Sequence, residues 1–298
     1  MFAAIRRGFG FLGQAIDMAR RDSDLIKPSL YGLVVGTIVS VAGALPTIVV
    51  ALLVGETPTG RVVLFVLGAL LLFLEYAISY IFSGMTAYLI YGLLAEGDGR
   101  MDKAWATIRR DWLDILSLAA ASTLVAVVRG FLRGRGRGGR RNLVGELVGD
   151  ILERVWTTAT YFVLPAMVIE DLNLGQALKR ATYMIKNNLL LVAVTEIGVS
   201  SVVGLVGFVL GVISIAIGAG IFFAFASLGS TAMLVGAGLA VLAAGTLIAL
   251  ISAFSAYATT AYHTCMFLWA REAEKALAAG QSVQAAPAPR PVAAVLGA

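Results

Sequence analysis

From Leu189 to Ala270 the chain is a run of apolar and small residues interrupted only by Glu196 and His263. No water-soluble core uses so long a stretch, and about 20 apolar residues already suffice to carry a helix across a bilayer. Leu30 to Val54 is uncharged, Val62 to Ala95 carries one charge at Glu75, and shorter apolar runs occupy about Trp112 to Leu132 and Val155 to Ile169. Composition agrees: 59% of the residues are hydrophobic and 14% charged, where soluble domains carry roughly 25% charged residues. The expected fold is all-α, a polytopic helical membrane protein with about six transmembrane helices. Within the last run the spacing predicts spans over 189–212 and 236–269. Its glycines predict a hairpin or half-helix between them over 212–235, with seven or eight spans as the alternative.

Amphipathic segments punctuate the spans. Residues 2–21 carry an apolar stripe of Phe2, Ile5, Phe9, Leu12 and Ile16 beside Arg6, Arg7, Arg20 and Arg21. Residues 98–112 place Met101, Trp105, Ile108 and Trp112 on one face, with Asp98 and Asp102 early and Arg109 and Arg110 late, as the helix dipole prefers. Residues 173–187 align Leu174, Ala177, Leu178, Ala181, Met184 and Ile185, with Lys179, Arg180 and Lys186 off that face. Such segments suit the membrane plane, where basic side chains meet anionic headgroups. Each precedes a pair of spans, and Gln14-Ala15-Ile16, Lys103-Ala104-Trp105 and Gln176-Ala177-Leu178 echo one another. The chain therefore reads as units of about 2–95, 98–169 and 173–270, a threefold internal repeat within one transmembrane domain over 1–280.

Around the third segment, the sequence of Pro165, Glu170, Ala177-Leu178-Lys179-Arg180-Ala181 and Lys186 resembles a group of bacterial and archaeal membrane families. The group includes the membrane domain attached to some glycerophosphodiester phosphodiesterases, along with stand-alone families of unknown function. The resemblance is strongest over 155–190. It implies the architecture and carries no chemistry: the phosphodiesterase members use a separate soluble barrel, for which the residues after Ala270 leave no room. That activity is not expected.

Arg129, Arg133, Arg135, Arg137, Arg140 and Arg141 crowd a glycine-rich loop. No strand precedes its glycines, so a dinucleotide fingerprint is not expected. Its place between two spans speaks against a nucleic-acid tail. Glu146, Asp150 and Glu153 form a single acidic stripe just after it, and the loop is expected to fold back on that stripe. Residues 281–298 are low in complexity and expected to be disordered. Orientation follows the basic residues: those of 6–27, 100–110, 179–186 and 271–290 share one side, against Arg61, Arg154 and the arginine loop on the other. The positive-inside rule then places both termini in the cytoplasm and the protein in the cell membrane.

Glu75, Glu196 and His263 are the intramembrane polar candidates. Such side chains either hold the helix bundle together or mark a pathway. Tyr76 and Tyr80 are the expected local partners of Glu75. Glu196 and His263 each lie eight positions inside a boundary, about 12 Å deep at the helical rise, and are expected to meet or share a network through Thr195 or Thr264. Glu170 and Asp171 are expected to meet the open N–H groups at the start of an interfacial helix. Arg20, Arg21, Arg109, Arg110, Lys179, Arg180 and Lys186 are the headgroup candidates. One cysteine and one histidine in the whole chain exclude an internal disulfide and a multi-histidine metal site. No catalytic, cofactor or metal residue stands out, so no enzyme is expected. The expected role is a membrane scaffold or accessory subunit working through the bilayer and a membrane-protein partner or second copy. The alternative is a small-solute or ion transporter using Glu75 and Glu196.

Overall fold

The computed structural model describes residues 2–133, 143–283 and 286–296; inside these ranges the side chains of 2–5, 143, 187–198, 200 and 294–296 are outside the description. The described residues contain helices and no strand: α1 (Phe2–Arg21), a 3-10 turn (Ser23–Leu25), α2 (Lys27–Val54), α3 (Pro58–Glu96), α4 (Met101–Arg133), α5 (Leu143–Glu170), α6 (Leu174–Ala226), α7 (Ser230–Ala278) and α8 (Arg290–Leu296). Five segments are long and apolar enough to cross a membrane: Ser23–Val54, Pro58–Glu96, Met101–Arg133, Ser201–Ala226 and Ser230–Ala278. These fit a multi-pass membrane protein. α5 falls outside that set because its first turns carry Glu146, Asp150, Glu153 and Arg154.

The expected elements are corrected in three places. The amphipathic segments 98–112 and 173–187 are not separate helices: from Met101 and Leu174 onward they are the first turns of α4 and α6. No proline or turn glycine divides Trp112 from Leu113 or Asn188 from Leu189, and an unbroken helix satisfies every backbone group where water is scarce. Only α1 stands apart, ended by Asp22, whose carboxylate accepts from the Asp24 amide at 2.9 Å. The expected hairpin or half-helix over 212–235 is not a separate element. The chain turns inside that interval, at 227–229, where Gly229 has φ 112°, but the turn joins the ends of two long helices, α6 running through to Ala226 and α7 starting at Ser230. Finally, the tail expected to be disordered carries α8, with Val292 fully buried. Pro291 fits a first helical turn, where its missing N–H costs nothing.

The backbone contacts divide the chain into two compact units, Val34–Leu189 and Met1–Leu33 with Leu190–Ala298. In the first, Thr57 caps α3 by accepting from the Gly60 amide at 2.9 Å. A Cβ on Gly60 would stand 1.7 Å from the Val54 carbonyl oxygen, so this tight turn needs glycine. Gly97, with φ 82°, closes the other end of α3 by bonding Leu93 O. The core of the unit joins α3 (Met85, Leu89, Ile90), α4 (Ile115, Leu118) and α5 (Val163, Met167). Gly84 lets them approach: its Cβ would lie 3.1 Å from Ile108 and 3.3 Å from Val168. By contrast the part of α2 in this unit, Val34–Val54, buries no residue, and Leu52 is 81% exposed.

In the other unit, α1 packs against α7 and α8 through Gly8, Phe11, Leu12, Ala15 and Met18. The Phe11 ring meets Tyr262 edge-on at 5.4 Å, and Tyr257 donates to the Ala15 carbonyl at 3.0 Å. Leu12 joins Val202 of α6 and Ala258 of α7 in one apolar cluster. Phe9 and Ile16, members of the expected apolar stripe, remain exposed on the opposite side. The buried face is therefore turned toward the small residues Gly8 and Ala15, which permit close helix approach.

Candidate functional site

Polar side chains inside the spans bond across helices. Glu75 of α3 faces α2, where the Ser40 hydroxyl donates to its carboxylate. Gly36, one turn earlier on α2, leaves the space: a Cβ there would lie 3.8 Å from the other carboxylate oxygen. Tyr76 and Tyr80 are not the partners of this acid. Their rings stack on each other at 5.9 Å, and the Tyr80 hydroxyl meets Ser122 of α4 at 2.7 Å. The indole N–H of Trp156, on α5, donates to the same Ser122 oxygen at 2.9 Å. One small hydroxyl thus joins three helices.

A second set lies where α4, α5 and α6 end or begin. Glu170 closes α5 and receives both guanidinium arms of Arg180, at 2.9 and 3.3 Å. Arg110 donates to both oxygens of buried Asp111, at 2.6 and 2.8 Å, and reaches Asp171 at 3.2 Å. The expected role of Glu170 and Asp171 at a helix start is corrected here: α6 is capped by Asn173 instead. The Asn173 side chain accepts from the Gln176 amide at 3.0 Å, and the Gln176 side chain accepts from the Asn173 amide at 3.2 Å. This reciprocal capping box satisfies the Asn173 and Gln176 amides with side chains other than the two acids.

At the far ends of α4 and α5, Arg129 pairs with Glu153 and lies 3.9 Å from Asp150, which also pairs with Arg133. Two acids of the stripe, Asp150 and Glu153, are therefore met by arginines on the last turns of α4. Arg135, Arg137, Arg140 and Arg141 lie outside the described residues, as does the expected folding-back of their loop.

The headgroup candidates separate into two groups. Arg20, Arg109, Lys179 and Lys186 are exposed. Arg110 and Arg180 are engaged in the ion pairs above, and Arg21 pairs with Asp17 one turn earlier at 2.7 Å. His263 is 5% exposed, its ring 5.2 Å from that of Tyr262, while Thr264 donates back to the Thr260 carbonyl at 2.8 Å. The side chain of Glu196 is outside the described residues, and with it the expected pairing to His263. Among the described residues, no group of three or more His, Cys, Asp and Glu side chains is placed to hold a metal ion.

Sequence reasoning missed Ser40, Ser122, Trp156 and Asp111. Serine in a span carries no charge to draw notice, and helical register alone decides which one faces a polar neighbour. What these groups can do chemically is hold helices together: a partly buried carboxylate with a bidentate arginine gives direction and strength, and a hydroxyl satisfies groups that lipid cannot. No protein-family model matches the chain, and no curated protein matches it.

Proposed function

We propose that this protein is a membrane scaffold or accessory subunit that works through lipid and protein contacts. The observation that carries the reading is the length of its apolar hairpin. α7 has 49 residues, roughly 74 Å at the helical rise, against about 30 Å of hydrocarbon. Charge begins in it only at Arg271, apart from His263. Tilt accommodates part of such an excess. The rest leaves apolar side chains near the turn, such as Leu228 and Leu234 at 71% and 76% exposure, in need of cover. Protein cover, from a partner or a second copy, satisfies them. The polar groups of α2 to α5, meanwhile, bond to one another and need no solute.

On this reading α5 is the sixth span, its apolar half entering the membrane and its acidic first turns staying at the surface. The proposed threefold pattern then has α4 and α6 each carrying their amphipathic segment as the opening turns of a span. The basic residues at both termini, at 100–110 and at 179–186 face the cytoplasm. Arg20, Arg109, Lys179 and Lys186 meet anionic headgroups there. The relation to the phosphodiesterase-linked membrane domains is part of the same proposal and brings no hydrolase activity.

Purification in mild detergent with quantification of co-purifying protein and lipid tests the reading. A stoichiometric protein partner or self-association supports it, and a lone chain fully active in moving a solute refutes it. Glu75 favours the transporter alternative, since an acid inside a span is costly and often marks a pathway.

A further inference from the structure

Between α3 and α4 runs a groove of about 410 Å³, lined by Leu64, Phe65, Gly68, Leu72, Gly130 and Phe131 among others. Its volume falls within the ~300–1,000 Å³ common for small-molecule sites. Two glycines open it: a Cβ on Gly68 or Gly130 would meet nothing within 4 Å. The Phe65 and Phe131 rings approach across it to 5.7 Å, inclined at 46°. Every lining side chain is apolar, so in a membrane the groove takes an acyl chain.

The choice of lipid is set at the end of the groove. Arg61, Phe65, Gly68 and Leu72 follow at i, i+4, i+7 and i+11, so one face of α3 carries the groove wall and, one turn beyond it, an exposed guanidinium. Among the described residues no carboxylate forms an ion pair with Arg61. The neighbouring arginines of α4 are engaged elsewhere, Arg129 with Glu153 and Arg133 with Asp150. Glu56 belongs to the turn before α3 and is off this stripe. An apolar channel that ends at an available guanidinium matches a molecule with an acyl chain and an anionic phosphate.

We propose that the α3–α4 groove is a binding site for one anionic glycerophospholipid, its chain along Gly68 and Gly130 and its phosphate at Arg61. The proposal rests on the scaffold reading and names the lipid that one of its contacts takes. Native mass spectrometry of the detergent-purified full chain, titrated with phosphatidylglycerol or phosphatidylcholine of identical acyl chains, reads the bound fraction directly. The wild type should hold one phosphatidylglycerol in preference to phosphatidylcholine. Gly68→Leu with Gly130→Leu fills open space, should leave the helical circular dichroism unchanged, and should lower binding of both lipids about tenfold. Arg61→Gln, at an exposed position, should lower the preference for phosphatidylglycerol about fivefold and leave phosphatidylcholine binding alone. Undiminished binding in the double leucine variant, or an unchanged preference in Arg61→Gln, overturns the site. Either result with a protein partner still co-purifying removes the groove and leaves the scaffold reading standing.

Discussion

Asp171 holds a positive φ of 55° at the end of α5, where a side chain other than glycine carries strain. The left-handed conformation costs an L-residue roughly 1–2 kcal/mol, less for Asp than for branched side chains. What Asp171 offers in return is its contact with Arg110 at 3.2 Å, and that pair is at least half exposed on both sides. Exposed pairs are worth under about 1 kcal/mol. Asp171→Gly should therefore hold or raise the thermal midpoint, while Asp171→Val should lower it by the equivalent of about 1–2 kcal/mol; scanning fluorimetry in detergent reads both. The neighbouring pair behaves differently. Glu170 and Arg180 are only 20% and 25% exposed, and their contact is bidentate. Arg180→Ala should cost about 1–3 kcal/mol, and Arg180→Lys should recover only part of that, because an ammonium cannot match both carboxylate oxygens. A full rescue by lysine would reduce the contact to simple charge. Sequence reasoning found Glu170 and Arg180 as interesting residues but not as partners: they are ten positions apart, and only the turn at 171–173 folds one back to the other.

At the level of the helices, Ser122 is the residue on which α3, α4 and α5 converge. Ser122→Ala removes one oxygen and leaves two groups, the Tyr80 hydroxyl and the Trp156 N–H, without that partner. A loss of about 1–3 kcal/mol is expected, accompanied by a shift in the Trp156 fluorescence; a neutral substitution would contradict the three-helix join. Gly84→Leu tests apolar packing in the same place, since even a Cβ there would sit 3.1 Å from Ile108 and 3.3 Å from Val168, and overpacking costs typically about 1–3 kcal/mol. The five long apolar helices were legible because hydropathy alone decides them. Helix ends in the last run were not. Gly204, Gly211, Gly220, Gly238 and Gly245 suggested breaks, yet they lie within unbroken helices with open space where a Cβ would be. Membrane helices tolerate glycine because the backbone has no water to turn to. The actual break at Ser227-Leu228-Gly229 has no stronger signature than the others. The burial of α1 escaped for a related reason: the stripe of large residues was legible, but the packed side uses Gly8 and Ala15.

For the whole molecule, the proposed arrangement makes a side-by-side forecast. Cys265 is buried, so a Cys265→Ser background with single cysteines placed at Thr59, Lys103 and Lys179 reports topology cleanly. Impermeant maleimide added to intact cells should modify position 59 and spare 103 and 179; modification of 103 from outside would reverse or break the orientation. Polar groups that hold helices, rather than line a route, are the centre of the account. Its most direct test is flux through reconstituted vesicles carrying wild type, Glu75→Gln or Glu196→Gln under an imposed pH gradient. Proton and cation flux is expected to match protein-free vesicles in all three, with Glu75→Gln altering only thermal stability through its contact with Ser40. A wild-type flux above the protein-free level that disappears in Glu75→Gln would contradict the account and make the α2–α3 contact part of a pathway.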